Sequence, residues 1–259
     1  MSSPKFQIDT AKEFPFLPNA PIVEAVIHWQ SAASVDFDPA NLESDLAARF
    51  SEYQLHTQQN FSAAVSDAQQ GMSIQHSWDG FRLTKTESEE PVFVCQFKPS
   101  GLVFSRLAPY LGWTNFLEEG IRFWTTFTEI AKPAEIARLS TRFISQIPVK
   151  NPADVAEYTE IGEQSWNPDG SSTSGFFIQE HVTLDEHPYI ITITRALQPV
   201  APGIQAGLNL IVDIGVSTTD AVAPFDSVDR RLKELRYIKN EVFFGLMKDA
   251  AIKFGKDAN

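Results

Sequence analysis

Glu24 is a single carboxylate in the apolar run Ile22-Val23-Glu24-Ala25-Val26-Ile27-His28-Trp29. Strand alternation puts it on one face with Ile22, Val26 and His28, while Val23, Ala25, Ile27 and Trp29 form a wholly apolar face. A carboxylate among apolar neighbours is costly unless it is paired or put to use. Arg138 and Arg142 share one face of a second strand-like segment, about 13 Å apart at strand rise. Asp213 interrupts Leu210-Ile211-Val212-Asp213-Ile214 and shares a face with Asn209. Paired arginines suit an anion, and carboxylates beside them could position it or hold a divalent ion. The same charges equally suit a closed Glu–Arg–Asp network, in which loss of one partner is damaging. Acid–base catalysis by Glu24 or Asp213 is the third use. In either the closed network or the cleft, Glu24 is expected within salt-bridge reach of an arginine, Arg138 or Arg142 first and Arg106 second.

A second candidate is Phe104-Ser105-Arg106-Leu107-Ala108-Pro109-Tyr110-Leu111-Gly112-Trp113. Arg106, Tyr110 and Trp113 are residue types enriched in binding hot spots, and they also serve as ordinary packing at a helix start. Asn240-Glu241-Val242-Phe243-Phe244, with Tyr237 nearby, reads either as a core stripe or as a homodimer face. The usual catalytic signatures are missing: no phosphate-binding loop, nucleophile elbow or zinc helix occurs. The histidines His28, His56, His76, His181 and His187 are scattered without metal spacing, and Cys95 sits in a buried-type apolar run. No metal or cofactor is expected.

The elements that must position these residues follow from periodicity. Pro18 and Pro21 give a rigid approach to the strand Ile22–Trp29. Asp38-Pro39 opens a short helix with Leu42, Leu46 and Phe50 on one face. Residues 54–70 read as a connector. Met72–Trp78 and Phe81–Thr86 flank Asp79-Gly80 as a hairpin, and Val92–Phe97 pairs with Leu102–Leu107. A long helix runs from Trp113 to Ala131, stopped by Pro133. A strand Ile136–Ile147, a short helix from Asn151, strands Phe176–Leu184, Tyr189–Ala196 and Leu208–Val216, and one helix from Ser227 to Phe254 complete the chain. The stretch Asn167–Gly175 reads as its most mobile loop. The order of elements repeats, so the reading is α+β: a duplicated unit of strand, short helix, antiparallel strands and long helix, in residues 1–133 and 134–259. It implies two mostly antiparallel sheets, each packed on a long helix.

The 259 residues carry a net charge of -12 with 43% hydrophobic residues. That acidity disfavours nucleic acid, whose phosphates need clustered cations. One cysteine excludes an internal disulfide, and no run is long enough to span a bilayer, which reads as a cytoplasmic protein without membrane partners.

Leu17-Pro18-Asn19-Ala20-Pro21-Ile22-Val23-Glu24-Ala25-Val26, Phe104-Ser105-Arg106 with Pro109-Tyr110 and Trp113, and Arg138 with Arg142-Phe143-Ile144 resemble a known set. They are similar to a sporadically distributed family of uncharacterised bacterial and archaeal proteins, over nearly the whole chain. The chain departs from that pattern at Arg138-Leu139-Ser140-Thr141-Arg142, where a glycine is commoner. The family has no firmly assigned activity. Its patchy distribution is compatible with an accessory or defence-system component. The reading is a binding or interaction protein whose repeats cradle a protein partner or small anionic ligand, through Glu24, Arg106, Tyr110, Trp113, Arg138, Arg142 and Asp213. The alternative is a metal-assisted hydrolase or phosphoryl-transfer enzyme using Glu24 and Asp213 with Arg138 or Arg142, so whether the chain is an enzyme stays open.

Overall fold

Alternation at Ala25, Ile27 and Trp29 makes β1 (Ile22–Gln30), and all three side chains are fully buried. The computed structural model describes residues 5–66, 71–87, 90–160, 174–199, 207–225 and 227–256. Asp38 caps α1 (Pro39–Arg49) by accepting from the Ala40 amide at 3.0 Å, with Pro39 in the first turn. The long helix α2 (Trp113–Ala131) ends at Lys132 in the left-handed region, one residue before Pro133. The remaining helices are α3 (Val155–Tyr158), α4 (Val228–Leu246) and α5 (Asp249–Lys256). The strands after β1 are β2 (Gln54–Ser66), β3 (Gly71–Glu87), β4 (Glu90–Lys98), β5 (Gly101–Leu107), β6 (Arg138–Val149), β7 (Phe176–Thr183), β8 (Tyr189–Pro199) and β9 (Leu208–Thr218).

The chain is α+β, and its described residues form one antiparallel sheet of nine strands in the order β2-β3-β4-β5-β1-β6-β9-β8-β7. Two sheets were expected; β1 instead pairs on both sides, with β5 and with β6, and so joins all the strands. Read outward from the β1–β6 seam, the order is β5, β4, β3 on one side and β9, β8, β7 on the other. The helices α1, α2 and α4 cover one face. Trp29 stacks on Trp124 of α2, with ring centroids 5.6 Å apart, and Phe104 packs against Phe116 and Phe123. Each such aromatic pair contributes about 0.5–1.5 kcal/mol beyond its buried area.

Three local expectations are corrected. Residues 54–66 form a strand, because β3 supplies a full ladder of partners from Gln54↔Thr84 to Ser66↔Gly71. Asp79-Gly80 turns no hairpin: β3 runs straight through it, and the register shifts opposite Gln58 and Gln59. Gly80 has φ 111°, so the positive-φ preference that suggested a turn serves a bulge. The last helix is two, because Met247 is extended and bridges to Thr159, while the Lys248 amide donates to Tyr158 O at 2.8 Å. Of the loop expected to be mobile, residues 167–173 lie outside the described residues.

Candidate functional site

The seam positions four of the expected charges on the helix-free face of the sheet. Val26 pairs with Arg142, Glu24 with Ile144 and Gln30 with Arg138, so strand alternation brings Glu24, His28, Arg138 and Arg142 to that face. Asp213 of β9 joins them beside Ile144. Arg142 grips Asp213 with a two-pronged contact: Nε donates to Oδ1 at 2.9 Å, and Nη2 donates to Oδ2 at 2.5 Å. That fork holds the Arg142 guanidinium above its usual range, with the Glu24 charge adding to it from further away. Burial, followed by repulsion from Arg138 and Lys98, lowers the His28 imidazole.

The expected Glu24–arginine pair is absent. Among the described residues no cation lies within 4.0 Å of Glu24, because Arg142 turns to Asp213 and Arg138 stays exposed. Arg106 lies on the opposite face, since it pairs with Ala25 and Phe93. There it is 2% exposed, stacks 4.4 Å over the Phe93 ring and donates from Nε to Pro109 O at 3.1 Å. The cost of losing a broken buried pair therefore does not apply to Glu24. Glu24→Gln is expected to change unfolding free energy by less than about 0.5 kcal/mol, as a half-exposed unpaired site does. Asp213→Asn should cost about 1 kcal/mol, because 57% of the Arg142 side chain is solvent-exposed. Urea titrations of the two variants check both values, and a larger loss for Glu24→Gln than for Asp213→Asn would contradict this assignment.

Tyr110 and Trp113 lie on the helix-covered face, apart from the seam charges, and line a cavity of about 720 Å³. Its walls come from the N-terminal arm (Phe14, Phe16 and Leu17), the loop before α2, Phe143 and Ser145 of β6, Ile214 of β9, and one side of α4. The arm is held down along α4: Tyr237 Oη donates to Gln7 O at 3.1 Å, Lys12 pairs with Glu241, and Phe14 stacks on Phe244 with centroids 5.5 Å apart. At its end the Asn19 amide donates to Gly255 O at 2.9 Å.

Four cations face this space: Lys12, Lys233, Arg236 and Lys239. Lys12 is taken by Glu241 and Lys233 by Asp229. Arg236 and Lys239 have no carboxylate within 4.0 Å among the described residues. They rest on rings instead: the Arg236 guanidinium is 5.7 Å from Trp113, and Lys239 Nζ is 4.2 Å from Phe143. Burial pushes the Lys239 ammonium down to about 7, and the Arg236 charge acts in the same direction. Burial raises the Tyr110 phenol, which keeps it protonated at neutral pH, although Arg236 opposes the shift. Glu13 is an exposed carboxylate on the cavity wall without an ion-pair partner among the described residues.

Tyr110 and Trp113, singled out from the sequence, line this cavity, whereas Arg236 and Lys239 were not singled out. Charges on an amphipathic helix read as a solvated face. Their signal was spacing: Arg236, Lys239 and Phe243 recur at i, i+3 and i+7, beside the Leu232, Leu235 and Ile238 stripe. No metal-holding group of three His, Cys, Asp or Glu occurs among the described residues. Both Asp213 oxygens are occupied by Arg142. No helix among the described residues is long and apolar enough to cross a membrane. Compared with known proteins, the chain matches no family model, no curated protein and no solved structure.

Proposed function

We propose that the chain is a binding protein for a small anion with an aromatic or apolar body, held in the cavity between the N-terminal arm, β6, β9 and α4. The observation that carries this reading is the pair Arg236 and Lys239, two cations without an acidic partner beside an aromatic wall. Lys239 is half-buried, so its unpaired charge is costly there, while Arg236 is exposed beside it; a bound carboxylate or phosphate meets Arg236 and offsets the cost at Lys239. The volume lies within the range of small-molecule pockets, and Phe143, Trp113 and Phe243 supply surface for a ring. Residues from before and after position 133 both contribute, which accords with a cradle built between the two repeats. The seam charges are a less suitable anion site, because Arg142 is already neutralised by Asp213.

Thermal shift and calorimetry with benzoate, phenylacetate and phenyl phosphate test the reading. Saturable stabilisation by at least one of them is expected, and Arg236→Gln should weaken it tenfold or more. The reading fails if millimolar concentrations of all three leave the melting temperature unchanged, or if Arg236→Gln binds as tightly as the parent.

A further inference from the structure

We propose that Lys239 forms an imine with a carbonyl compound whose anionic group is held by Arg236, so that the cavity takes aldehydes or 2-oxo acids bearing a carboxylate. This deepens the anion-binding reading and rests on it. Three features carry it. Lys239 lines the cavity with its amine 4.2 Å over the Phe143 ring, and among the described residues no carboxylate lies within 4.0 Å to hold it as a cation. Arg236 stands one helical turn earlier on the same side of α4, so one ligand can meet both groups. Tyr110 lines the same cavity and keeps its proton, which provides a neutral donor beside the reacting carbonyl.

The chemistry needs a neutral amine, and a lysine desolvated next to a second cation supplies one near neutral pH. The amine lone pair attacks the carbonyl carbon, the C–N bond forms, and the carbonyl oxygen takes up a proton as the nitrogen gives one up. The carbinolamine then loses its hydroxyl, protonated by Tyr110 or solvent, as water, while the nitrogen lone pair closes the C=N bond, and the iminium nitrogen returns its proton to Tyr110 or solvent to leave the imine. One amine and one carbonyl give one imine and one water, with no oxidant or reductant. The titratable and charged groups lining the cavity with Lys239 are Lys12 and Glu13 from the arm, Tyr110 from the loop before α2, and Lys233, Arg236 and Tyr237 from α4. Lys12 and Lys233 are neutralised by Glu241 and Asp229, which leaves Arg236 as the cation available to an anionic group.

The test uses 4-carboxybenzaldehyde as probe, with sodium cyanoborohydride to reduce any imine to a stable amine, read by intact mass and peptide mapping. One equivalent on Lys239 is expected, well ahead of exposed lysines such as Lys5 and Lys253. Lys239→Arg should abolish that adduct while keeping the fold, as its melting curve will show. Arg236→Gln should slow labelling by 4-carboxybenzaldehyde at least tenfold more than it slows labelling by uncharged benzaldehyde, which loses only the effect of Arg236 on the amine. Adducts spread over surface lysines with none favoured at Lys239 would overturn the inference. So would labelling of Lys239 that is indifferent to the probe's carboxylate. Benzoate calorimetry separates the two levels: binding without an adduct removes the imine chemistry and leaves the anion site standing, whereas no binding removes both.

Discussion

Gly80→Ala is expected to cost at least about 3 kcal/mol in unfolding free energy, close to the loss from a large core truncation. The reason is contact as well as conformation. A Cβ at Gly80 would lie 2.1 Å from Phe97 O and 3.0 Å from Lys98 Cα, both backbone atoms of β4. Neither can move without opening the β3–β4 ladder, where Phe81 pairs with Phe97. Gly112 supplies the control. Its φ is 120°, yet nothing lies within 4 Å of the position of its missing Cβ, so Gly112→Ala carries backbone strain alone. Chemical denaturation of both variants should place Gly80→Ala well below Gly112→Ala. Equal losses would mean that β3 is not pinned to β4 at the bulge.

Lys239→Met should stabilise the protein at pH 6 and lose most of that advantage by pH 10. In the unfolded chain this amine titrates near the ordinary 10.5, whereas in the folded chain burial brings it to about 7. Between those values the unfolded chain binds more protons, so wild-type stability gains from Lys239 as pH rises through the window. Below about 7 both states hold the proton, and the folded state bears the full cost of a poorly solvated ammonium. Removing the amine should therefore return of the order of 2–4 kcal/mol at pH 6 and much less at pH 10. Other titrating groups are common to both proteins and cancel in the difference. Paired denaturation curves across this range check it, and a gap that stays constant would show that folding leaves the amine's titration alone.

The contrast between these two sites shows what could be read from residues alone. Asp79-Gly80 announced a positive φ correctly, but a turn and a bulge need the same glycine. Only the ladder between Gln54–Ser66 and β3 decides between them, and the apolar alternation that advertises it is confined to Phe61, Ala63 and Val65 in an otherwise polar stretch. The helix Trp113–Ala131 was legible to its ends because its buried stripe and Pro133 agree. The break at Met247 was not, since it comes from a bridge to Thr159, far away in the chain. For the site, type and spacing singled out Glu24, Arg142 and Asp213 as one charge network or cleft, but their shared sheet face and the carboxylate Arg142 chooses come only from the β1–β6–β9 register. Arg106 fails as the second partner for Glu24 for a simpler reason. Its face depends on the register of β5 against β1, which pairs it with Ala25, and period-two reading of one strand cannot supply that. Lys239 stayed hidden because a charge on a helix is buried or bathed according to what an arm from elsewhere lays across it.

The mirrored strand order around β1 also bears on how the chain reaches this state. The pairs β2–β3, β3–β4, β4–β5, β7–β8 and β8–β9 join consecutive strands and can zip without waiting for the rest. The middle cannot. Glu24 must find Leu107 on one side and Ile144 on the other, so β1 stays an orphan until two large loops have closed around it. With β6 also pairing to the distant β9, high contact order is concentrated in the middle of the sheet, and closing those pairings is expected to set the pace of folding.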